Sequence, residues 1–173
     1  MPGRELTIAG KSNQGYGVID MEMPWNYRPW IRSQHIFRGN GRRHIITDLV
    51  YPKRRIHLFS DLELNVYYML RRNKQIKELF EQYPLDLGQT SKICVDMSIS
   101  HPRHPITKEK IVMTTDFVAV VSIKGNHEFR AYAVKTTEEL KDNRVQEKLK
   151  VEQLYWTMLQ IPWCVITEQD ICQ

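Results

Sequence analysis

The chain has 173 residues, 42 % of them hydrophobic, and a formal net charge of +5. That length suits one domain with a sizeable core, or a domain with an extended arm, and the composition excludes collagen-like and broadly disordered proteins. No apolar run reaches the roughly 20 residues of a membrane helix, and residues 1–20 are too polar for a secretory signal, so a soluble, cytoplasmic protein is expected.

The three cysteines, Cys94, Cys164 and Cys172, are widely spaced and form no Cys-x-x-Cys pair. That argues against a disulfide framework and against a structural zinc. The charge is unevenly distributed: residues 1–55 carry ten Lys/Arg against four acids, whereas the remaining 118 carry 15 against 16. Trp25, Tyr27 and Trp30 sit among these charges. The pattern is that of a phosphate-contacting surface or of a solvated basic face. Arg42, Arg43, Lys53, Arg54 and Arg55 are the candidates for DNA contact.

Along the chain, residues 1–20 read as a loose arm and 21–57 as an irregular basic region with a short strand within 43–51. Ser60-Asp61-Leu62-Glu63 has the form of a capping box, and Leu62, Val66, Met69 and Leu70 follow at helical spacing to about Arg72. Residues 76–83 are ambiguous, although Asn73 and Pro84 favour a break followed by a strand. Residues 88–110 read as loop-rich, and His101-Pro102-Arg103-His104-Pro105 cannot continue a regular element. A strand over 112–123, a tight turn at Lys124-Gly125-Asn126-His127 and a strand over 128–135 form a hairpin. Thr136 or Thr137 is a candidate cap for a further helix. A helical run over 144–160 places Val151, Leu154, Tyr155 and Met158 on one face, and 161–167 reads as a last buried strand. The sum is an α/β domain, a sheet covered by helices.

The hairpin carries the chemistry. A two-residue Gly125-Asn126 loop places Asp116 directly opposite Lys135, with Cβ atoms about 4.5–5.5 Å apart. Their same-face neighbours, Val118, Val120, Ala131 and Ala133, are small or apolar. By itself the pair reads first as a cross-strand salt bridge, and Glu63 as the third helical residue of its capping box. Taken together, an acid on a helix, an acid on a strand and a lysine opposite it suit phosphodiester hydrolysis. Two hard carboxylates can hold Mg²⁺, which keeps waters and phosphate oxygens in its shell, and a lysine can orient water or offset charge. His101 and His104 lie in a proline-bounded loop without a ligand partner pattern, and Arg103 between them is a further candidate for DNA contact. No Gly-rich phosphate loop is present.

Phe59-Ser60-Asp61-Leu62-Glu63-Leu64, Glu81-Gln82-Tyr83-Pro84-Leu85, Met113-Thr114-Thr115-Asp116-Phe117, Ala133-Val134-Lys135, Glu147-Lys148-Leu149, Tyr155-Trp156 and Ile161-Pro162-Trp163 resemble, in order and spacing, the successive blocks of the TnsA family of transposase endonuclease subunits. The similarity runs from about Pro29 to the end. It implies a restriction-endonuclease-like fold, a mixed sheet flanked by helices. It also implies a Mg²⁺ site (Mn²⁺ substituting) at Glu63, Asp116 and the Val134 carbonyl, and a catalytic Lys135.

Ala133 stands where the superfamily often has an acid or glutamine. Glu81, Glu147 and Glu152 could lie near the site, although Glu147 and Glu152 read first as surface acids on helices. The resemblance further implies cleavage of the 5′, non-transferred strands at transposon ends, alongside a TnsB-like strand-joining transposase and a TnsC-like ATP-dependent regulator. The expected organisation is a basic, DNA-facing region over 1–57 and a nuclease core over 58–173, without the C-terminal regulator-binding domain of longer members. A decayed DNA-binding or scaffolding subunit and a stand-alone restriction or repair nuclease are the alternatives.

Overall fold

A computed structural model describes residues 16–32 and 42–171. Strands β1 (His44–Thr47) and β2 (Arg55–Leu58) form an antiparallel ribbon, so residue 57 falls inside a strand. Helix α1 (Asp61–Arg72) starts where expected: the Ser60 side chain caps it by accepting the Glu63 N–H at 3.0 Å. Arg71 and Arg72 in its last turn complement the helix dipole.

The ambiguous segment is a strand, β3 (Ile76–Pro84). The loop-rich reading of 88–110 is corrected in its first part, where α2 (Leu87–Asp96) forms with Asp86 as its cap. Only Thr90, Ile93 and Cys94 of this helix are buried, too few apolar positions to show a helical period. Strands β4 (Thr114–Ile123) and β5 (Asn126–Val134) form the hairpin. Helix α3 (Asn143–Met158) is capped by Asp142, whereas Thr136 and Thr137 precede only a single 3₁₀ turn, Glu139–Lys141. Strand β6 (Trp163–Ile166) and the short α4 (Glu168–Ile171) follow.

The main sheet has the order β3-β4-β5-β6, with antiparallel pairings except for the parallel β5–β6 pair. It is a mixed sheet. β6 is an edge strand of which only Ile166 is fully buried, so the expectation of a buried strand is corrected. The chain from β5 to the parallel β6 crosses through α3, which packs on one face of the sheet together with α2. That face buries Phe80, Tyr83, Val118, Val120 and Ala131 against Ile93, Val151, Tyr155 and Trp156. Ile19 and Tyr27 complete this core, so the part of the supposed loose arm from residue 16 onward is packed. The opposite face buries Leu79, Phe117, Ala119 and Val121 against Val66, Tyr67 and Leu70 of α1 and Ile56 and Leu58 of the ribbon. The result is an α/β fold with a four-stranded mixed sheet between helices. No described helix is long and apolar enough to cross a membrane.

One break in this regularity positions the site. Phe80 and Tyr83 face α3, yet the two residues between them, Glu81 and Gln82, both turn to the α1 and ribbon side, where they bond Arg54 and Glu63. Gln82 makes this possible by adopting φ +48°, a left-handed conformation uncommon outside glycine. The Trp30 N–H fixes the resulting backbone by donating to the Gln82 carbonyl at 3.1 Å. Gly17, at φ +69°, lets the preceding segment lie against the next residue but one, Pro84, where an added Cβ would fall 2.2 Å from Pro84 Cγ.

Candidate active site

Glu63 lies in the first turn of α1, and its carboxylate does more than close a capping box. Its Oε2 accepts the Phe59 N–H at 3.0 Å and the Gln82 side-chain amide at 3.3 Å, while Oε1 takes only a 3.4 Å bond from the Ser60 hydroxyl. Gln82 is buried and accepts from the Thr114 hydroxyl through its own Oε1 at 3.3 Å. The amide therefore ties α1 to the start of β4, two residues before Asp116.

At Asp116 the hairpin register differs from expectation. The loop is Lys124-Gly125, with φ +50° and +83° as a type I′ turn requires, and the ladder pairs Ile123 with Asn126 and Phe117 with Tyr132. Extending this register puts Ala133, not Lys135, across from Asp116. A shift of two residues keeps a side chain on the same face, and a long side chain reaches a diagonal neighbour. The Lys135 ammonium accordingly donates to Asp116 Oδ2 at 3.3 Å and to the Val134 carbonyl at 2.7 Å. Asp116 Oδ2 also accepts the Val134 N–H at 2.6 Å, which anchors the carboxylate to the end of β5.

Electrostatics bind these groups into one unit. Burial, reinforced by the Asp116 carboxylate, raises the Glu63 pKa to about 8. Burial opposes the charge on Lys135, but Asp116, Glu152, Glu139 and Glu63 outweigh it and hold the ammonium above the usual lysine range. Glu152 corrects the reading of it as a surface acid. It is buried on α3, its Oε1 accepts from Thr115 Oγ1 at 2.7 Å and from Trp163 Nε1 at 2.9 Å, and Trp156 Nε1 donates to the same threonine oxygen at 2.7 Å. Burial, with Asp116 adding to it, raises Glu152 to about 7. Glu147 is indeed near the surface, paired with Arg144 at 2.6 Å.

Among the described residues, no three acids, histidines or cysteines converge as a metal cage. The donor set is two carboxylates and one carbonyl. The chemistry of these oxygens fits a hard divalent cation. The described bonds to Asp116 all fall on Oδ2, and the bonds to Glu63 fall mainly on Oε2. The Lys135 ammonium already bridges Asp116 and the Val134 carbonyl, a sign that these oxygens gather positive charge. Mg²⁺ asks for few protein ligands and keeps waters and phosphate oxygens.

The basic candidates separate. Arg42 is exposed and stands 3.9 Å from Asp61, at the start of α1 and near Glu63, and Arg43 precedes the same end of β1. Lys53 and Arg55 are exposed at the other end of the ribbon, where Arg55 donates to Thr47. Arg54 is not available to DNA. Its side chain is 3 % exposed and ion-paired to Asp48 at 2.9 Å and to Glu81, which is itself buried here and not at the metal oxygens. Arg71 joins through Asp48 at 2.8 Å. Sequence reasoning missed Gln82 as a site residue. Its sequence signals are its place two residues before Pro84 at the end of a strand and its membership of the Glu81–Leu85 block.

A mixed sheet between helices, with one acid on the first helix, one on a central strand and a lysine just past the neighbouring strand, is a restriction-endonuclease-like fold. The profile of the family described as TnsA-like endonuclease N terminal matches residues 73–168, more than half of the chain, and the chain belongs to that family. The match includes Gln82, Asp116, Val134, Lys135 and Glu152. Transposon Tn7 transposition protein TnsA of Escherichia coli is 37 % identical over 168 residues, which cover 96 % of this chain and 58 % of that relative. The chain thus spans little more than half the relative's length.

Proposed function

We propose that this chain is the DNA-cleaving subunit of a heteromeric cut-and-paste transposase, hydrolysing the 5′, non-transferred strands at transposon ends with Mg²⁺, or Mn²⁺ in its place. The observation that carries this reading is the meeting of Glu63, Asp116, the Val134 carbonyl and Lys135 at one end of the sheet. Family membership supports it, and so does the name of the relative, a transposition protein.

Glu63 and Asp116, with the Val134 carbonyl, would hold the cation, their charge balanced by it in place of the lysine alone. A bound Mg²⁺ supplies a water of lowered pKa and offsets negative charge on the phosphorane-like transition state. Lys135, held charged by its acidic surroundings, orients the attacking water or a phosphate oxygen and shares in offsetting that charge. Gln82 keeps Glu63 aimed at the site. Glu152 fixes the α3 side through Thr115 and Trp163. Arg42 and Arg43, by the start of α1, and Lys53 and Arg55, at the far end of the ribbon, are assigned to phosphates. The division of labour assigns strand joining to a TnsB-like transposase and licensing to a TnsC-like ATP-dependent regulator.

The test is cleavage of an end-bearing duplex in the presence of both partners, by wild type and by Asp116→Ala. Loss of 5′-strand cleavage with an intact unfolding transition is expected; a fully active Asp116→Ala protein would sink the reading. Ala133, which offers no further metal ligand, favours a second reading, a decayed DNA-binding subunit. Mn²⁺ titration separates the two, because a decayed site gives no Asp116-dependent shift of the unfolding midpoint.

A further inference from the structure

Residues 102–111, between α2 and β4, form a finger that the cleavage chemistry does not use. Arg103 and Lys110 are bridged antiparallel; the Ile111 N–H donates to the Pro102 carbonyl at 2.9 Å and the His104 N–H to the Glu109 carbonyl at 2.8 Å. The tip is closed by the Lys108 N–H on the His104 carbonyl at 3.0 Å and by the Thr107 N–H on His104 Nδ1 at 3.1 Å. The Arg103 guanidinium reinforces it by donating to the Lys108 carbonyl at 2.8 Å. Lys108 takes φ +59° to make the turn. At the base, His101 is buried and bonded to Thr90 of α2 at 3.1 Å, and the Met113 carbonyl accepts the Leu85 N–H at 2.8 Å.

This segment has a defined shape but no core of its own, since every residue from 103 to 111 is exposed. Hydrophobic burial is what ordinarily offsets the entropy of ordering a chain, so a self-bonded, fully exposed finger is a feature to be explained. Its side chains point to the partner. Arg103 and Lys110 face each other across the shaft and Lys108 stands in the turn, the single acid Glu109 accepts from the Thr107 hydroxyl at 3.3 Å, and Ile106 at the tip is 82 % exposed. Cations flanking an apolar tip beside a proline match what duplex DNA accepts: phosphates take the charges, and apolar wedges enter between base steps. The topology puts the finger beside the site. It leads directly into β4, at the end of the sheet where Pro84 pairs with Thr114 and Asp116 follows two residues later.

We propose that the 102–111 finger docks on duplex DNA next to the scissile phosphate, with Arg103, Lys108 and Lys110 on backbone phosphates and Ile106 in the groove. The proposal rests on the nuclease reading for its position and adds to that reading an anchor that sets where the duplex lies. The test uses the full chain and a short fluorescein-labelled duplex, with affinity measured across a salt series by anisotropy. The double variant Lys108→Asn, Lys110→Gln keeps a residue that tolerates the left-handed turn. It is expected to lower the slope of log affinity against log salt by about 2, roughly 0.9 for each phosphate that is no longer neutralised. Ile106→Ser is expected to weaken binding without changing that slope, and to abolish the fluorescence rise of a 2-aminopurine placed in the duplex. Unfolding midpoints equal to wild type show that the finger alone was altered.

Wild-type affinity and slope in both variants would overturn the proposal, as would a wild-type chain that does not bind the duplex at low salt. Mn²⁺ titration of wild type and Asp116→Asn, run on the same preparations, keeps the two readings apart. An Asp116-dependent shift with unaltered DNA binding by the finger variants removes the finger and leaves the nuclease. A reduced slope with no Mn²⁺ shift does the reverse.

Discussion

At the scale of single residues the site is a negotiation over charge. Glu63 and Asp116 are close enough for the Asp116 carboxylate to help burial raise Glu63 to about 8, so at neutral pH Glu63 is largely protonated without a cation. A cation held by the proposed site would have to displace that proton, so affinity for Mn²⁺ is expected to rise with pH up to about 8 and then level off. Isothermal titration at a series of pH values checks this, and Glu63→Gln should bind weakly at all of them. Gln82 holds Glu63 by donating its side-chain amide to Oε2 at 3.3 Å. Gln82→Ala is expected to lower metal affinity roughly ten- to a hundred-fold, the usual cost of removing a residue that orients a metal ligand, while Gln82→Glu, which keeps an acceptor for Thr114 but loses the amide donor, should not restore it. Wild-type affinity in Gln82→Ala would remove this role. The Asp116–Lys135 contact was legible in the sequence because an acid and a lysine are unusual on an otherwise apolar hairpin face, whereas Glu63 by itself reads as a capping-box residue. Gln82 was not, because its importance comes from a backbone turn of +48° that no local residue preference announces.

At the scale of elements, the ribbon and β3 are joined by a buried charge network rather than by the basic DNA face that composition suggested. Arg54 holds Asp48 and Glu81, donates to the Leu79 carbonyl at 2.9 Å and lies over the rings of Tyr27 and Phe80. Removing one partner leaves uncompensated buried charge, so Arg54→Ala is expected to cost about 3–5 kcal/mol, read in urea unfolding. Arg42→Ala, at an exposed pair, should change stability by well under about 1 kcal/mol. In the β4–β5 hairpin, Lys124 occupies the first left-handed position of the type I′ turn. Lys124→Asn is expected to stabilise the fold by about 1 kcal/mol; an unchanged midpoint would mean that the lysine is not strained there. The hairpin itself was legible from two β-favouring runs either side of its Lys-Gly-Asn signal. Its register was not, because both Gly125-Asn126 and Lys124-Gly125 are acceptable two-residue loops, and the ladder, not the turn signal, chooses between them.

At the scale of the whole molecule, the buried acids link stability to pH. Glu63 and Glu152 are both raised on folding, to about 8 and about 7. Groups raised in this direction contribute stability that is full below their unfolded value near 4.5 and is lost as pH climbs through the folded values. Metal-free protein is therefore expected to lose stability between about pH 4.5 and 8, and saturating Mn²⁺ to recover much of it at the upper end; a flat midpoint over that range, with and without metal, would contradict the burial of both carboxylates.

What the amino-acid sequence determined by itself is what rests on local chemistry. Ser60 caps α1, runs of β-favouring residues write β4 and β5, Gly125 permits their turn, and the hairpin brings Asp116 and Lys135 into contact. Tertiary structure decided the rest. It buried Arg54 and Glu152, folded the weakly patterned α2 against α3, moved Asp116 from a facing to a diagonal partner of Lys135, and turned Gln82 onto Glu63. Each of these depends on which surfaces meet across the sheet, and such long-range burial sets the worth of a charge or a turn in a way that neighbours along the chain do not record.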